Sequence, residues 1–336
     1  MNSRKLSILD VGHGNSAILQ TEDHNFVIDC GRKVTLLNHL ERYDINEVDD
    51  IIVSHTDQDH IGGLIDLLLN NNIQVKRIHL NPSALKSRET VFFNGLISTV
   101  KESLRERGLE VNTSVTSNSH IFLQSSSTEI KVLFPPPDLA LASEGGIGPD
   151  GGTLTPNQLS VVARLDDDSH PVALFPGDIG QDGISRINDL GYSLTADILV
   201  FPHHGGRPET GSPIDFTVEL IERVQPKFVV FSISSGRNTP RTDILEGIEQ
   251  SNQSPHILCT QLSSHCVAKR NGIPSSLEPP SVSKSFDGVD YCGGTVEISL
   301  NGNTTNYSSL IERHTSFLDS HVPEAACRNH CQHLNS

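Results

Sequence analysis

The chain has 336 residues, with 41 acidic against 25 basic side chains, a formal charge of −16, an apolar fraction of 35% and no tryptophan. Such a charge argues against wide, sequence-independent binding to polyanions, which rests on lysine and arginine neutralising phosphates. No apolar run approaches the roughly 18 residues of a membrane span. Met1-Asn2-Ser3-Arg4-Lys5 opens no signal-peptide pattern, and six cysteines scattered over this length do not make a disulfide scaffold. The expectation is a cytoplasmic protein with enough chain for one large domain or two small ones.

Leu6 to Val11 reads as a strand, followed by the tight turn Gly12-His13-Gly14-Asn15 and by strands at Ser16 to Gln20 and Phe26 to Asp29. Asp10 and Asp29 close strands, where turn chemistry explains a carboxylate as well as a site does. A helix is expected from Thr35 to Tyr43, and Ile51-Ile52-Val53 reads as a buried strand. That strand delivers Ser54-His55-Thr56-Asp57-Gln58-Asp59-His60-Ile61-Gly62-Gly63, after which Ile61, Leu64, Ile65, Leu67 and Leu68 repeat at helical spacing. His55, Asp57, Asp59 and His60 therefore share six residues of a strand-to-helix turn, where side chains converge at a sheet edge. Imidazole nitrogen and carboxylate oxygen are what zinc, manganese and iron accept, so a metal site is expected here. Asn70-Asn71-Asn72 predicts a left-handed cap for this helix.

A short strand follows at Arg77 to Leu80. Phe92 to Arg107 is amphipathic, with Leu96, Val100 and Leu104 on one face and Lys101, Glu102, Arg105 and Arg107 on a solvated one. Ile130 to Phe134 is a strand, and Asp138 to Pro156, rich in Gly, Pro, Asp and Ser, predicts a long loop. Asn157 to Val162 and then a strand from Val172 lead to Gly177-Asp178. A helix over Gln181 to Leu190 and the strand Asp197 to Phe201 then deliver Pro202-His203-His204-Gly205-Gly206. Paired histidines on a strand-end turn are again ligand or base chemistry. A helix from Pro213 to Arg223, a strand from Lys227 to Ser232 and a helix through Ile244, Leu245 and Ile248 follow.

His55-x-Asp57-x-Asp59-His60 resembles the HxHxDH signature of the metallo-β-lactamase fold, in the HxDxDH form of the hydrolase domain of ComEC-type DNA-uptake proteins and their free-standing relatives. Asp10 to Asn15 is similar to that branch's DVGQGD-like turn, with His13 and Asn15 in place of the usual Gln and Asp. Asp29-Cys30-Gly31, Asn157 to Val162, Gly177-Asp178 and His203-His204-Gly205 resemble its later motifs, in order. The likeness runs over about residues 4 to 260 and implies an α/β fold, a four-layer αββα sandwich with the motifs at one edge.

It further implies two divalent ions, zinc or manganese. His55 and Asp57 would hold one; Asp59, His60 and one of His203 and His204 the other; Asp178 would bridge them and Asp29 would support the site from behind. The family's extra histidine on the first ion has no counterpart, Asn157 being nearest in order. Its usual histidine before Pro240 is Thr239 here, and Arg237 and Arg241 are read either as solvated loop side chains or as replacements that contact an anion. A hydroxide shared by the ions would attack phosphorus or a carbonyl carbon. Asp59, His203 and His204 are the catalytic candidates, the histidine that is not a ligand protonating the leaving group.

The first functional reading is a metal-dependent phosphodiesterase, a nuclease or a nucleotide hydrolase, whose substrate is small or single-stranded given the acidic charge. Hydrolysis of a lactone, thioester or lactam is the alternative on the same fold. A partner-binding subunit that keeps the motifs for stability alone is the third, and the presence of every strong ligand position argues against it. Residues 261–336 are set apart as a C-terminal extension: Ser275 to Ser285 is rich in Ser and Pro, and Tyr307 to Leu318 predicts a helix. Cys259, Cys266, Cys292, Cys327 and Cys331 fall at or beyond this boundary, and Cys327-Arg328-Asn329-His330-Cys331 has a zinc-like spacing. They are read either as a structural zinc site pinning the tail or as singly buried thiols.

Overall fold

The computed structural model describes residues 4–32, 34–81, 91–121, 127–148, 151–267 and 292–329. In chain order its strands are β1 (Lys5–Ile8), β2 (Ala17–Gln20), β3 (Asn25–Ile28), β4 (Glu47–Ile52), β5 (Gln74–His79), β6 (Glu110–Asn112) and β7 (His120–Ile121). They continue as β8 (Thr128–Phe134), β9 (Val162–Asp167), β10 (His170–Phe175), β11 (Ile198–Val200), β12 (Phe228–Phe231), β13 (His256–Cys259) and β14 (Val296–Ser299). They form two seven-stranded mixed sheets, ordered β14-β1-β2-β3-β4-β5-β6 and β13-β12-β11-β10-β9-β8-β7.

Alternation along the strands decides the layers. Leu6, Ile8, Leu19, Phe26 and Ile28 of the first sheet pack between the sheets against Val132, Ala163, Val172, Phe228 and Val230 of the second. Ile18, Val27 and Ile51 face outward and are covered by Leu36, Leu40, Leu64, Leu67, Phe93 and Leu96. These come from the helices Thr35–Arg42, Leu64–Leu69 and Val91–Glu106. On the far side Leu199, Phe201, Val229 and Phe231 lie under Phe216, Leu220, Ile244 and Leu245 of the helices Pro213–Val224 and Thr242–Gln250. Three apolar interfaces make the four layers αββα. Full burial of each such side chain is worth about 1.5–3 kcal/mol.

In both sheets an antiparallel meander runs into parallel strands, β3 to β6 and β10 to β13. The segments carrying Asp29, Ser54–His60, Asp178 and His203–His204 follow the C-terminal ends of β3, β4, β10 and β11. Ligand chemistry in open α/β sheets collects at such ends, because strand-end turns free side chains from the ladder.

Local readings of the sequence are altered at two places. Asn70 is extended (ψ 124) rather than left-handed, because its Oδ1 accepts the Asn72 N–H at 2.7 Å in an Asx turn. The Asp138–Pro156 stretch is entered through a short helix, Pro137–Ala142, and then folds on itself through an Ile147–Thr153 bridge. Asn157–Leu159 is a 3₁₀ turn. Thr155 Oγ1 accepts from the Gln158 N–H and Gln158 Oε1 from the Thr155 N–H, a reciprocal cap that starts a turn.

The chain beyond residue 260 returns into the sandwich. β14 pairs with β1, with Ile298 opposite Leu6 and Val296 opposite Ile8, and both point between the sheets. The helix Ser308–His321 places Leu310 between the sheets and Phe317 and Leu318 on the outer face of the second. Among the described residues, no helix is long and apolar enough to cross a membrane.

Candidate metal centre

Asp29 organises the site from behind. It is buried, sits in the left-handed region (φ 59), and accepts hydrogen bonds from Ser54 N at 2.7 Å and Ser54 Oγ at 2.8 Å. Its Oδ2 is 2.7 Å from His60 Nδ1. A proton on Nδ1 satisfies that contact and leaves the His60 Nε2 lone pair free, 3.6 Å from Asp178 Oδ1. His55 is held similarly: its Nδ1 meets Ser54 Oγ at 3.1 Å and Ser160 Oγ at 3.4 Å. Its Nε2 lies 4.0 Å from Asp178 Oδ2 and 3.8 Å from Asp57 Oδ2.

A second group stands beside this one. His204 Nε2 is 3.4 Å from Asp59 Oδ2, and His13 Nε2 is 3.8 Å from the same oxygen. The His13 and His204 rings lie 4.4 Å apart, and His60 and His204 lie 5.5 Å apart, so the two groups adjoin. In each triad, His55–His60–Asp178 and His13–Asp59–His204, one ligand atom per residue can be chosen so that all three lie within 4.8 Å. His60 thus has its free nitrogen with His55 and Asp178, where the resemblance pairs it with Asp59. His203 belongs to neither triad; its Nδ1 is 3.7 Å from Asp178 Oδ2.

The backbone is bent to make this possible. His203 and His204 are both left-handed (φ 53 and 54), each at a cost of order 1–3 kcal/mol. The His203 N–H donates to Asp178 Oδ1 at 2.9 Å, and Gly205 (φ 73) fits where a Cβ would come within 2.8 Å of Phe231 and Pro240. At the other approach, Gly14 lies so close to Asp59 that a Cβ would meet its carbonyl oxygen at 2.4 Å. The Asn15 N–H donates to that same oxygen at 3.1 Å, which docks the first turn, and with it His13, on Asp59.

The protonation balance suits a dication. Burial and the neighbouring His60 push the His55 imidazole down to about 4, and burial with His204 pushes His13 to about 4. Burial works against ionising Asp178, but His60, then His204 and His203, hold it well below the usual carboxylate range. Asp59 is held low in the same way, against burial, by His204 and His60. Burial would lower His60, but the carboxylates of Asp29 and Asp178 override it and hold the imidazole well above its usual value, so a cation binding at Nε2 displaces the second proton. Among the described residues, His55 Nε2, His60 Nε2, His203 Nε2 and His204 Nε2 are buried without a hydrogen-bond partner. An unsatisfied buried polar atom costs about 1–3 kcal/mol. Several such nitrogens, gathered within 4 Å of carboxylates, fit a site for divalent cations.

Other sequence candidates are placed as follows. Asp57 precedes the short helix Gln58–Ile61 and its side chain is a third exposed. Asn157 Nδ2 donates to Glu209 Oε1 at 3.1 Å, while its Oδ1 is buried without a partner among the described residues. Arg241 is engaged by Asp243 at 2.6 Å; Arg237 is exposed, and its charge reaches His13. Asp10 does turn chemistry, accepting from Gly12 N and Gln261 Nε2. Cys259, Cys266, Cys292 and Cys327 lie together at the outer face of the second sheet, while His330 and Cys331 fall outside the described residues. Sequence reasoning gave no role to His13, visible only as a ligand-type residue in a glycine turn, to Ser54 and Ser160, visible only as motif positions, or to Glu209, which carries no local signal. Beside His55 opens a cleft of about 470 Å³ lined by Thr56, Asn81, Thr113, Asn118 and Leu141.

Fold and donor cluster together define the metal-dependent hydrolases built on this sandwich. Residues 9–220 match the metallo-beta-lactamase superfamily, and the chain belongs to it. It is 28% identical over 214 residues to ComE operon protein 3 of Bacillus subtilis (strain 168), covering 62% of this chain and 22% of that protein. It is 38% identical over 60 residues to the anti-Pycsar protein Apyc1 of Bacillus phage BSP38, covering 18% of this chain and 23% of that one. The chain thus spans less than a quarter of the length of either of these curated relatives. Among solved structures it is similar to the metallo-beta-lactamase fold protein YhfI from Bacillus subtilis, with a TM-score of 0.47 and 14% identity over 76% of this chain and 96% of that one.

Proposed function

We propose that this chain hydrolyses phosphodiesters, with two divalent ions, zinc or manganese, in the paired triads. The observation that carries the reading is the adjacency of two three-donor groups, each combining imidazoles with a carboxylate held ionised. His55, His60 and Asp178, with Asp57 at the rim, would hold one ion; His13, Asp59 and His204 would hold the other. Bound there, such a pair supplies Lewis-acid polarisation of a phosphoryl oxygen and activation of water at neutral pH.

The remaining residues bind, orient and move protons. His203, outside both triads, rests its Nδ1 against Asp178, and its Nε2 serves as the proton donor to the leaving oxygen. Arg237 supplies a guanidinium fork for a phosphate approaching over His13. The side chains of Thr113 and Asn118 line the cleft and offer hydrogen bonds to a sugar or base there. The charge of −16 favours one small or single-stranded substrate over a long duplex.

The test is a screen of the purified full chain, with manganese or zinc, against model diesters, cyclic and linear nucleotides, single-stranded DNA and RNA, a lactone and a β-lactam. Diester turnover that a chelator abolishes and metal restores is expected. Turnover confined to the lactone or lactam would overturn the assignment.

A further inference from the structure

The outer face of the second sheet gathers chemistry that hydrolysis does not use. Cys259 ends β13, Cys266 lies in the short helix Ser264–Val267, Cys292 precedes β14, and Cys327 lies in the helix Ala326–Asn329. All four line one small cavity of about 10 Å³, together with Leu245, Leu262 and Ala326. That is room for about one small ion or water. Cys259, Cys266 and Cys292 are buried, Cys327 partly so, and all are free thiols.

Two of the sulfurs have partners that suit a thiolate. The Ala326 N–H points at Cys266 Sγ at 3.5 Å. His314 Nε2 is 2.9 Å from Cys292 Sγ, and its Nδ1 is 2.9 Å from His256 Nε2. With His256 Nε2–H donating to His314 Nδ1, the His314 Nε2–H is left to donate to the sulfur. Such second contacts orient and stabilise sulfur ligands in metal sites.

We propose that Cys259, Cys266, Cys292 and Cys327 form a structural zinc site that fastens the last segment of the chain to the second sheet. Soft thiolates select zinc, and four of them leave no open position, which makes such a site structural rather than catalytic. The four come from three stretches far apart in sequence, Cys259 and Cys266 sharing one, so closing the site ties β13, the entry to β14 and the terminal helix together. In a tetrahedral tetrathiolate the sulfurs stand about 3.8 Å apart, given Zn–S bonds of about 2.3 Å. Here no three of these sulfurs close within 4.8 Å, and Cys327 is the most exposed of the set. Binding forms four Zn–S bonds and releases the four thiol protons to solvent, so the ion's affinity is added to folding.

The experiment is cobalt substitution of the full chain, purified under reducing conditions. Neither triad of the hydrolytic site contains sulfur, so thiolate-to-cobalt charge-transfer absorption in the near ultraviolet reports this cluster alone. It is expected in the wild type and in a His55→Ala/His60→Ala variant, and lost in Cys259→Ser/Cys292→Ser together with about one zinc per chain. Diester hydrolysis by the cysteine variant is expected to persist. A wild-type cobalt protein without the charge-transfer band would overturn the proposal whether or not the cysteine variant folds, and so would unchanged zinc content in that variant. Either result would leave the thiols as small apolar packing groups.

Discussion

His60 Nδ1 lies 2.7 Å from Asp29 Oδ2, with both residues buried, so one carboxylate fixes which nitrogen of the imidazole faces the site. Asp29→Asn keeps the size and loses the charge that orients the ring. The expected result is a 10–100-fold drop in affinity for the ion at His55, His60 and Asp178, read by competition with a chromogenic chelator. Equal affinity in the two proteins would show that Asp29 serves the turn alone.

Asp178 faces His55, His60 and His203, and it also accepts the His203 N–H. Asp178→Asn preserves that backbone bond and removes the charge compensating a dication. Diester turnover is expected to fall to background, with the unfolding transition of the metal-free protein nearly unchanged. Wild-type turnover in this variant would remove Asp178 from the reaction.

His13 completes the triad of Asp59 and His204 from a turn docked through Gly14. His13→Gln puts back the side chain usual in the resembling branch. About one metal equivalent per chain is expected to be lost on dialysis, with the other retained. If both are kept at wild-type affinity, His13 is a bystander to the centre.

His39 is buried under the first sheet with neither ring nitrogen hydrogen-bonded among the described residues, and burial, with Lys5 nearby, pushes its imidazole down to about 4. The unfolded chain, at about 6.5, takes up the proton first. His39 therefore withdraws stability as pH falls through 6.5 toward 4, and the loss is complete below about 4. His39→Leu is expected to gain up to about 2 kcal/mol on the wild type between pH 7 and pH 5, measured by urea denaturation. An equal pH slope in the two proteins would mean that this imidazole titrates normally.

Much of this protein is legible locally. Period-two alternation in Leu6 to Gln20 and the amphipathic repeat at Leu64, Leu67 and Leu68 set the strand and helix faces, because each buries one side. His55, Asp57, Asp59 and His60 are readable as a site because four ligand-type residues in six positions after a buried strand cannot all be core. Asn70, a left-handed cap by residue preference, is extended because a nearby side-chain bond holds the turn instead.

The donor motifs are legible because they depend on short-range pattern, and the four-layer architecture is legible through the likeness of those motifs, in order, to a known family. The setting of the two sheets against each other decided that His60 meets Asp178 while His204 meets Asp59 and His13, a pairing no local pattern carries. It also decided that Val296–Ser299 closes the first sheet beside β1, across nearly the whole chain. A four-residue strand has no local signal for its partner. Its register comes from burying Val296 and Ile298 against a core that exists only once both sheets have met.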